Sequence, residues 1–239
     1  MIIDITRCAF QRGYLPRKEN TIFHPFFATN NAAFRRAALE KAGEFDPLCR
    51  TGEDIDMSIR VAKAGYELWY EPSARIQHLD RRTFGGLVRQ WFGYGAGHPY
   101  LFRKHVPGPR LQVYRFSDPE MTADPMGVRC LLDLRFPVHS MIFVNSFHLF
   151  HLGLLAAAAC ALLGAGKAAL WVALLALVAG AMYFTVRFDW RHPLRSVVLA
   201  GIRYSVDAAF TLGAFLAGLR QGVIYLEAAR SRRPVSRKS

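Results

Sequence analysis

Between residues 141 and 186 the chain carries one formal charge, Lys167. So long an apolar stretch has two solutions. In water it needs a core that surrounds it; in lipid it needs helices whose backbone groups bond among themselves. Before about residue 138 the chain alternates apolar and charged residues, as a soluble domain does. The contrast marks a membrane region following a soluble one. Two spans are predicted, at about 141–163 and 168–186, joined by the turn Gly164-Ala165-Gly166-Lys167. Asn145, Ser146, His148 and His151 in the first span read as its wet end at the interface.

A third apolar segment, 197–226, holds Arg203, Asp207 and Thr211 at four-residue spacing, one polar stripe along a helix. Each charge would cost about 2.5–3.5 kcal/mol at a helix centre in the bilayer. The expectation is an interfacial or re-entrant helix with Arg203 and Asp207 facing headgroups or the soluble domain; a true third span is the alternative. A basic tail, 227–239, closes the chain, and the cluster around Arg187, Arg191 and Arg195 obeys the positive-inside rule for a cytosolic return.

The net charge of +13 raises nucleic acid as a partner. No zinc-finger, helix-turn-helix or RNA-binding pattern accompanies it, and much of the charge flanks apolar segments. Attraction to anionic headgroups is the better reading, so a membrane and no nucleic acid is expected. The four cysteines form no CxxC pair, which fits a reduced compartment rather than a disulfide framework. Residues 1–5 lack the apolar core of a secretory leader.

The soluble part is organised around Thr51-Gly52-Glu53-Asp54-Ile55-Asp56-Met57-Ser58-Ile59-Arg60. Three carboxylates within four positions open a helical pattern, with Ile55, Ile59 and Ala62 on one face and Ala64-Gly65 closing it. Acidic first turns complement the helix dipole, an ordinary structural explanation. Upstream, Phe23-His24-Pro25-Phe26-Phe27-Ala28-Thr29 reads as a short aromatic strand, Asn30-Asn31 as a turn or cap, and residues 32–42 as a helix stopped by Gly43. Phe45-Asp46-Pro47 is a turn. Residues 66–70 and 74–78 are paired strand candidates around Glu71-Pro72-Ser73, and Leu87, Val88, Trp91 and Tyr94 mark a helix. Pro107 and Pro109 break the chain before an amphipathic linker over 107–138.

The order of these pieces resembles the second half of the catalytic domain of family 2 glycosyltransferases, the inverting GT-A enzymes. The resemblance rests on Ala28-Thr29-Asn30-Asn31 before an Arg-bearing helix, Gly43-Glu44-Phe45-Asp46, the Glu53-Asp54-Ile55-Asp56 helix start, Gly65-Tyr66, and Ile76-Gln77-His78. It covers about residues 22–105. It implies transfer of a sugar from a nucleotide-diphosphate sugar to a glycan or lipid-linked acceptor. It also implies that Asp54 is the general base, that Glu53 orients the acceptor or tunes that base, and that Thr29 and Asn30 lie near sugar or acceptor. Asn30 or Asn31 as a plain helix cap stays open beside that role. Arg89 and Trp91 would approach pyrophosphate and acceptor, the alternative being an amphipathic helix at the membrane surface. His78 would bind a divalent metal, Mn²⁺ or Mg²⁺, or be an ordinary strand-end histidine. Asp56 is expected to cap the helix or pair with Arg60. Asp54-Ile55-Asp56 spells D-x-D, but the family's metal motif belongs to the other half of the domain. No Gln-x-x-Arg-Trp signature of processive synthases occurs.

The expected fold is therefore α/β: a partial GT-A (Rossmann-like) domain over 1–106, lacking its N-terminal nucleotide-binding half, followed by α-helical transmembrane segments over 139–226. That half would precede Phe23, and a separate chain could supply it. The catalytic part is expected in the cytoplasm and the chain at the cell membrane, multi-pass. The rival expectation is a non-catalytic, membrane-anchored remnant serving as a binding or assembly module of a glycan-synthesis complex.

Overall fold

The computed structural model describes residues 13–15, 18–71, 73–74, 76, 81–116, 128–185 and 188–228. The first described element, β1 (Gly13–Leu15), pairs antiparallel with β2 (Leu68–Tyr70), Tyr14 opposite Trp69. The partner expected for β2, residues 74–78, lies mostly outside the described residues. Residues 22–28 are not a strand. Pro25 has no N–H to give a ladder, and neighbouring N–H groups turn to side chains: Phe23 N donates to Thr21 Oγ1 at 3.0 Å and Phe27 N to Ser58 Oγ at 3.4 Å. Phe23 is nonetheless core, its ring edge-on to Tyr114 at 4.5 Å.

Helix α1 (Arg36–Ala42) starts four residues later than the pattern suggests and ends at Gly43, whose φ of 83° a side chain would resist. Helix α2 (Glu53–Lys63) begins where the acidic run predicts and packs Met57 and Val61 on Ala38 and Leu68. Helix α3 (Phe84–His105) opens with Thr83 Oγ1 accepting from Gly86 N at 3.1 Å.

The stretch expected as a linker forms strands instead: β3 (Arg110–Phe116) and β4 (Val128–Arg135). With β5 (Ser140–Phe143) and β6 (Ile224–Leu226) they make a mixed sheet in the order β4-β3-β5-β6. β3 and β4 are antiparallel, whereas β3–β5 and β5–β6 are parallel. Gln112 and Tyr114 point into the core while Arg115 is exposed, so the strand period was present beneath the charges.

Helix α4 (Ser146–Leu162) starts after β5, because 140–143 is strand. Asn145 Oδ1 accepts from Phe147 N and His148 N, a capping box that sets the boundary. The first predicted span thus shortens to 17 residues. Helices α5 (Gly166–Thr185) and α6 (Pro193–Arg220) are both long and apolar enough to cross a membrane by length and composition. So α6, expected to be set apart by its charges, meets that criterion and α4 does not. Arg203 and Asp207 both meet Tyr183 of α5: the guanidinium lies 4.2 Å from the ring centroid, and the Tyr183 hydroxyl donates to Asp207 Oδ2 at 2.6 Å.

Helix α6 lies along α3 at very close range. A Cβ on Gly95 would overlap the Phe210 carbonyl, and one on Gly213 the Phe92 carbonyl. The shared core of sheet, α3 and α6 includes Phe102, Val106, Met141, Phe143, Phe210, Ala214 and Tyr225.

Candidate active site

The acidic helix start is pinned to α3 from both sides. Thr51 Oγ1 donates to Gly93 O at 2.8 Å, and Thr51 sits where a Gly97 side chain would stand. Gly52 takes the left-handed conformation before α2, with Leu101 packed where its side chain would be. Below the loop, Asp46 accepts from the Tyr100 hydroxyl and from Lys104 Nζ, both at 2.6 Å. These bonds hold the Asp46 carboxyl down at about 2, with Lys104 the largest cause.

Asp56 is fully buried and meets three side chains: Lys104 Nζ at 2.8 Å, Arg60 Nε at 2.9 Å and His105 Nε2 at 2.7 Å. The expected Asp56–Arg60 pair is present. Burial alone would push this carboxyl up, but the bonds from His105 and Lys104 and the Arg60 charge outweigh it and hold it well below the ordinary range. Asp56 thus fastens α2 to the end of α3, a structural role.

Asp54 is different. It is half-buried, and its carboxyl accepts from Ile55 N at Oδ1, 2.8 Å away, and from no side chain among the described residues. Burial is the main cause that pushes its carboxyl up to about 6; the Ile55 N–H opposes it, Glu53 adds to it, and His98 opposes it. A carboxylate near that value is ionised at neutral pH yet basic enough to accept a proton from a hydroxyl in a transition state. Nearby Cys49 offers no nucleophile, since burial pushes its thiol up to about 12.

The other candidates scatter. Thr29 and Asn30 are exposed in a short 3-10 helix, Thr29–Asn31, where Asn31 Nδ2 donates to Ala74 O at 2.8 Å. Arg89 is exposed on α3; Trp91 packs on Tyr94 and Phe210. None of these four bonds to Glu53 or Asp54 among the described residues. His78 lies outside the described residues. Sequence reasoning missed Tyr100, Lys104 and His105, whose periodicity along α3 gave no sign that they converge on acids some fifty residues earlier.

The chain belongs to the family described as glycosyl transferase family group 2, whose profile matches residues 17–188. It is 31% identical over 83 residues to the succinoglycan biosynthesis protein ExoA of Rhizobium meliloti, covering 35% of this chain and 25% of that protein. It is 36% identical over 75 residues to the pre-mycofactocin glycosyltransferase of Mycobacterium tuberculosis, 30% of this chain and 15% of that one. It is 27% identical over 99 residues to the O-antigen chain rhamnosyltransferase WbaN of Salmonella anatum, 40% and 31% respectively. The matches therefore span less than a third of each of these relatives. No solved structure matches the chain.

The family generally uses a divalent metal. Among the described residues no three His, Cys, Asp or Glu side chains converge to hold one. They do not form that site by themselves, and no step below runs through a metal.

Proposed function

We propose that this chain carries the base and acceptor side of an inverting glycosyl transfer at a membrane. The donor is a nucleotide-diphosphate sugar, and the acceptor is a glycan or lipid-linked glycan; the names of ExoA and WbaN favour a cell-envelope polysaccharide. Asp54 takes the proton from the acceptor hydroxyl as its oxygen attacks C1 of the sugar and the diphosphate departs. Glu53, one residue away, raises the basicity of Asp54. The single observation that carries this reading is the half-buried Asp54 carboxyl, pushed up to about 6 at the start of α2 while its neighbour Asp56 is tied down by Arg60, Lys104 and His105. Thr29, Asn30, Arg89 and Trp91 are proposed on the substrate side. His78 is proposed as a ligand of the family's cation, Mn²⁺ or Mg²⁺. A Mn²⁺ requirement unchanged in His78→Ala would assign His78 a structural role instead.

Strand pairing supports one membrane arrangement. β5 and β6 lie side by side in one sheet, so the chain leaves and returns on the same side and makes an even number of crossings between them. α4 and α5 pack closely, Gly153 against Ala176 and Gly180 against Phe150, with Leu155, Leu162, Leu170 and Leu175 facing outward. Seventeen residues of α4 rise about 25 Å, at the lower limit of a span. These observations support a two-helix hairpin, α4–α5, with α6 at the surface on α3. The soluble part then faces the cytoplasm, where nucleotide sugars are.

The test is release of nucleoside diphosphate by membranes containing the full chain, supplied in turn with UDP-glucose, GDP-mannose and dTDP-rhamnose. Turnover in wild type and loss in Asp54→Asn supports the reading. Equal turnover in both removes Asp54 from the mechanism.

A further inference from the structure

The four-stranded sheet is apolar on both faces. On one face Tyr114, Met141, Phe143 and Tyr225 are buried in the core shared with α3 and α6. On the other, the strand register sets Leu132, Val113, Ile142 and Leu226 side by side across all four strands. Leu134 and Ile224 stand two residues along on the same face. Leu132, Leu134 and Ile224 are exposed, at 41%, 38% and 44%. None of these six belongs to a core cluster among the described residues. A sheet with one face in water alternates apolar inward and polar outward. A contiguous apolar face in its place marks an interaction surface.

Charge and position together identify the partner. Arg115 and Arg129 are cross-strand partners on this face, and both are exposed. Like charges directly opposite each other destabilise a sheet. Neither arginine has an ion pair or hydrogen bond among the described residues. At the other end of β3, by contrast, Arg110 has Asp133 at 2.8 Å. β3 and β5 run parallel, so Arg115 lies at the end of the sheet where β5 leads through Asn145 into α4. At that same end Ala228, just past β6, packs with Phe147 of α4 and Tyr183 of α5. The arginine pair therefore stands where the helical hairpin joins the sheet. With the hairpin in a bilayer, that is the level of the lipid phosphates. A second copy packed face to face would instead bring two more unpaired arginines and no acid.

We propose that this sheet face lies on an anionic bilayer surface, with its aliphatic side chains at the headgroup–acyl boundary and Arg115 and Arg129 on lipid phosphates. The level of the two arginines rests on the hairpin reading above. The buried face of the sheet packs on α3, to which Thr51 pins the start of α2, so the contact fixes the height of Asp54 over the lipid.

The test uses the full chain in nanodiscs of equal parts phosphatidylcholine and phosphatidylglycerol. The photoreactive residue p-benzoylphenylalanine replaces Leu132, and its cross-linked products are identified by mass. Lipid adducts are expected, with phosphatidylglycerol favoured about fivefold or more, since each arginine near an anionic surface contributes about that factor. In the double variant Arg115→Gln, Arg129→Gln the adducts should persist in the even proportion of the disc. That variant removes a like-charge pair and should unfold no earlier than wild type, so the changed proportion is not a folding defect. Cross-links to a second copy or within the chain in place of lipid would overturn the proposal. An even proportion already present with both arginines in place would overturn it too. The same photoreactive residue at Leu175 of α5 reads the hairpin separately. No lipid adduct at Leu175 would sink the hairpin, and the products at Leu132 decide the sheet face in either case.

Discussion

Gly97 and Thr51 are in backbone contact: a Cβ at position 97 would overlap the Thr51 carbonyl, and the Thr51 hydroxyl reaches one turn back to Gly93 O. This contact sets the height at which the Glu53–Asp54 start of α2 sits on α3. Gly97→Ala should therefore cost about 1–3 kcal/mol by overpacking and lower turnover beyond what the lost stability explains. Thermal unfolding and diphosphate release on the same preparation check this; unchanged turnover would show that the loop tolerates displacement.

Asp54→Asn should reduce turnover about 10²–10⁴-fold, the usual contribution of a general base. Only the ionised carboxylate accepts a proton, so wild-type activity should fall as pH drops through about 6. The stability effect has the opposite sense. The folded value lies above the ordinary 3.8, so ionising Asp54 works against folding, and its favourable contribution, full below 3.8, is lost as pH rises through about 6. Asp54→Asn should be at least as stable as wild type at pH 7, which a denaturation curve would show.

Asp56→Ala should be severely destabilising, by about 3–5 kcal/mol, because the Arg60 and Lys104 charges would lose their shared buried partner and His105 its hydrogen bond. The carboxyl is held below its ordinary 3.8, so its stabilisation is full above that pH and is lost as pH falls through the depressed folded value. Acid unfolding of wild type should be steepest below pH 3.8, and that component should vanish in the variant.

The β5–β6 pairing makes a topological prediction. A reporter fused after Ser239 should be active only in the cytoplasm, and a cysteine placed at Gly164 should react with an impermeant reagent added from outside. Labelling at Gly164 together with an external C-terminus would mean three crossings and would contradict the sheet.

What the sequence determined by itself was local. The acidic start of α2 at Glu53, its pairing of Asp56 with Arg60, the Gly43 stop of α1 and the apolar helices after residue 145 all arise from residues within a turn or two of each other, and spacing reports them directly. Tertiary structure decided the rest. Charged strands β3 and β4 read as linker because their buried partners, Phe23 and the residues of α3 and α6, lie far along the chain. Asp54 and Asp56 are two positions apart with the same side chain, yet one is pushed up and the other held down. That difference comes from Lys104 and His105 reaching Asp56 and not Asp54, and from burial acting on Asp54 without a cation bonded to it. Glu227 meets His98 across 129 residues, a distance over which no periodicity carries a signal. A carboxylate's chemistry is set by which charges and how much water surround it, and only the folded chain arranges those.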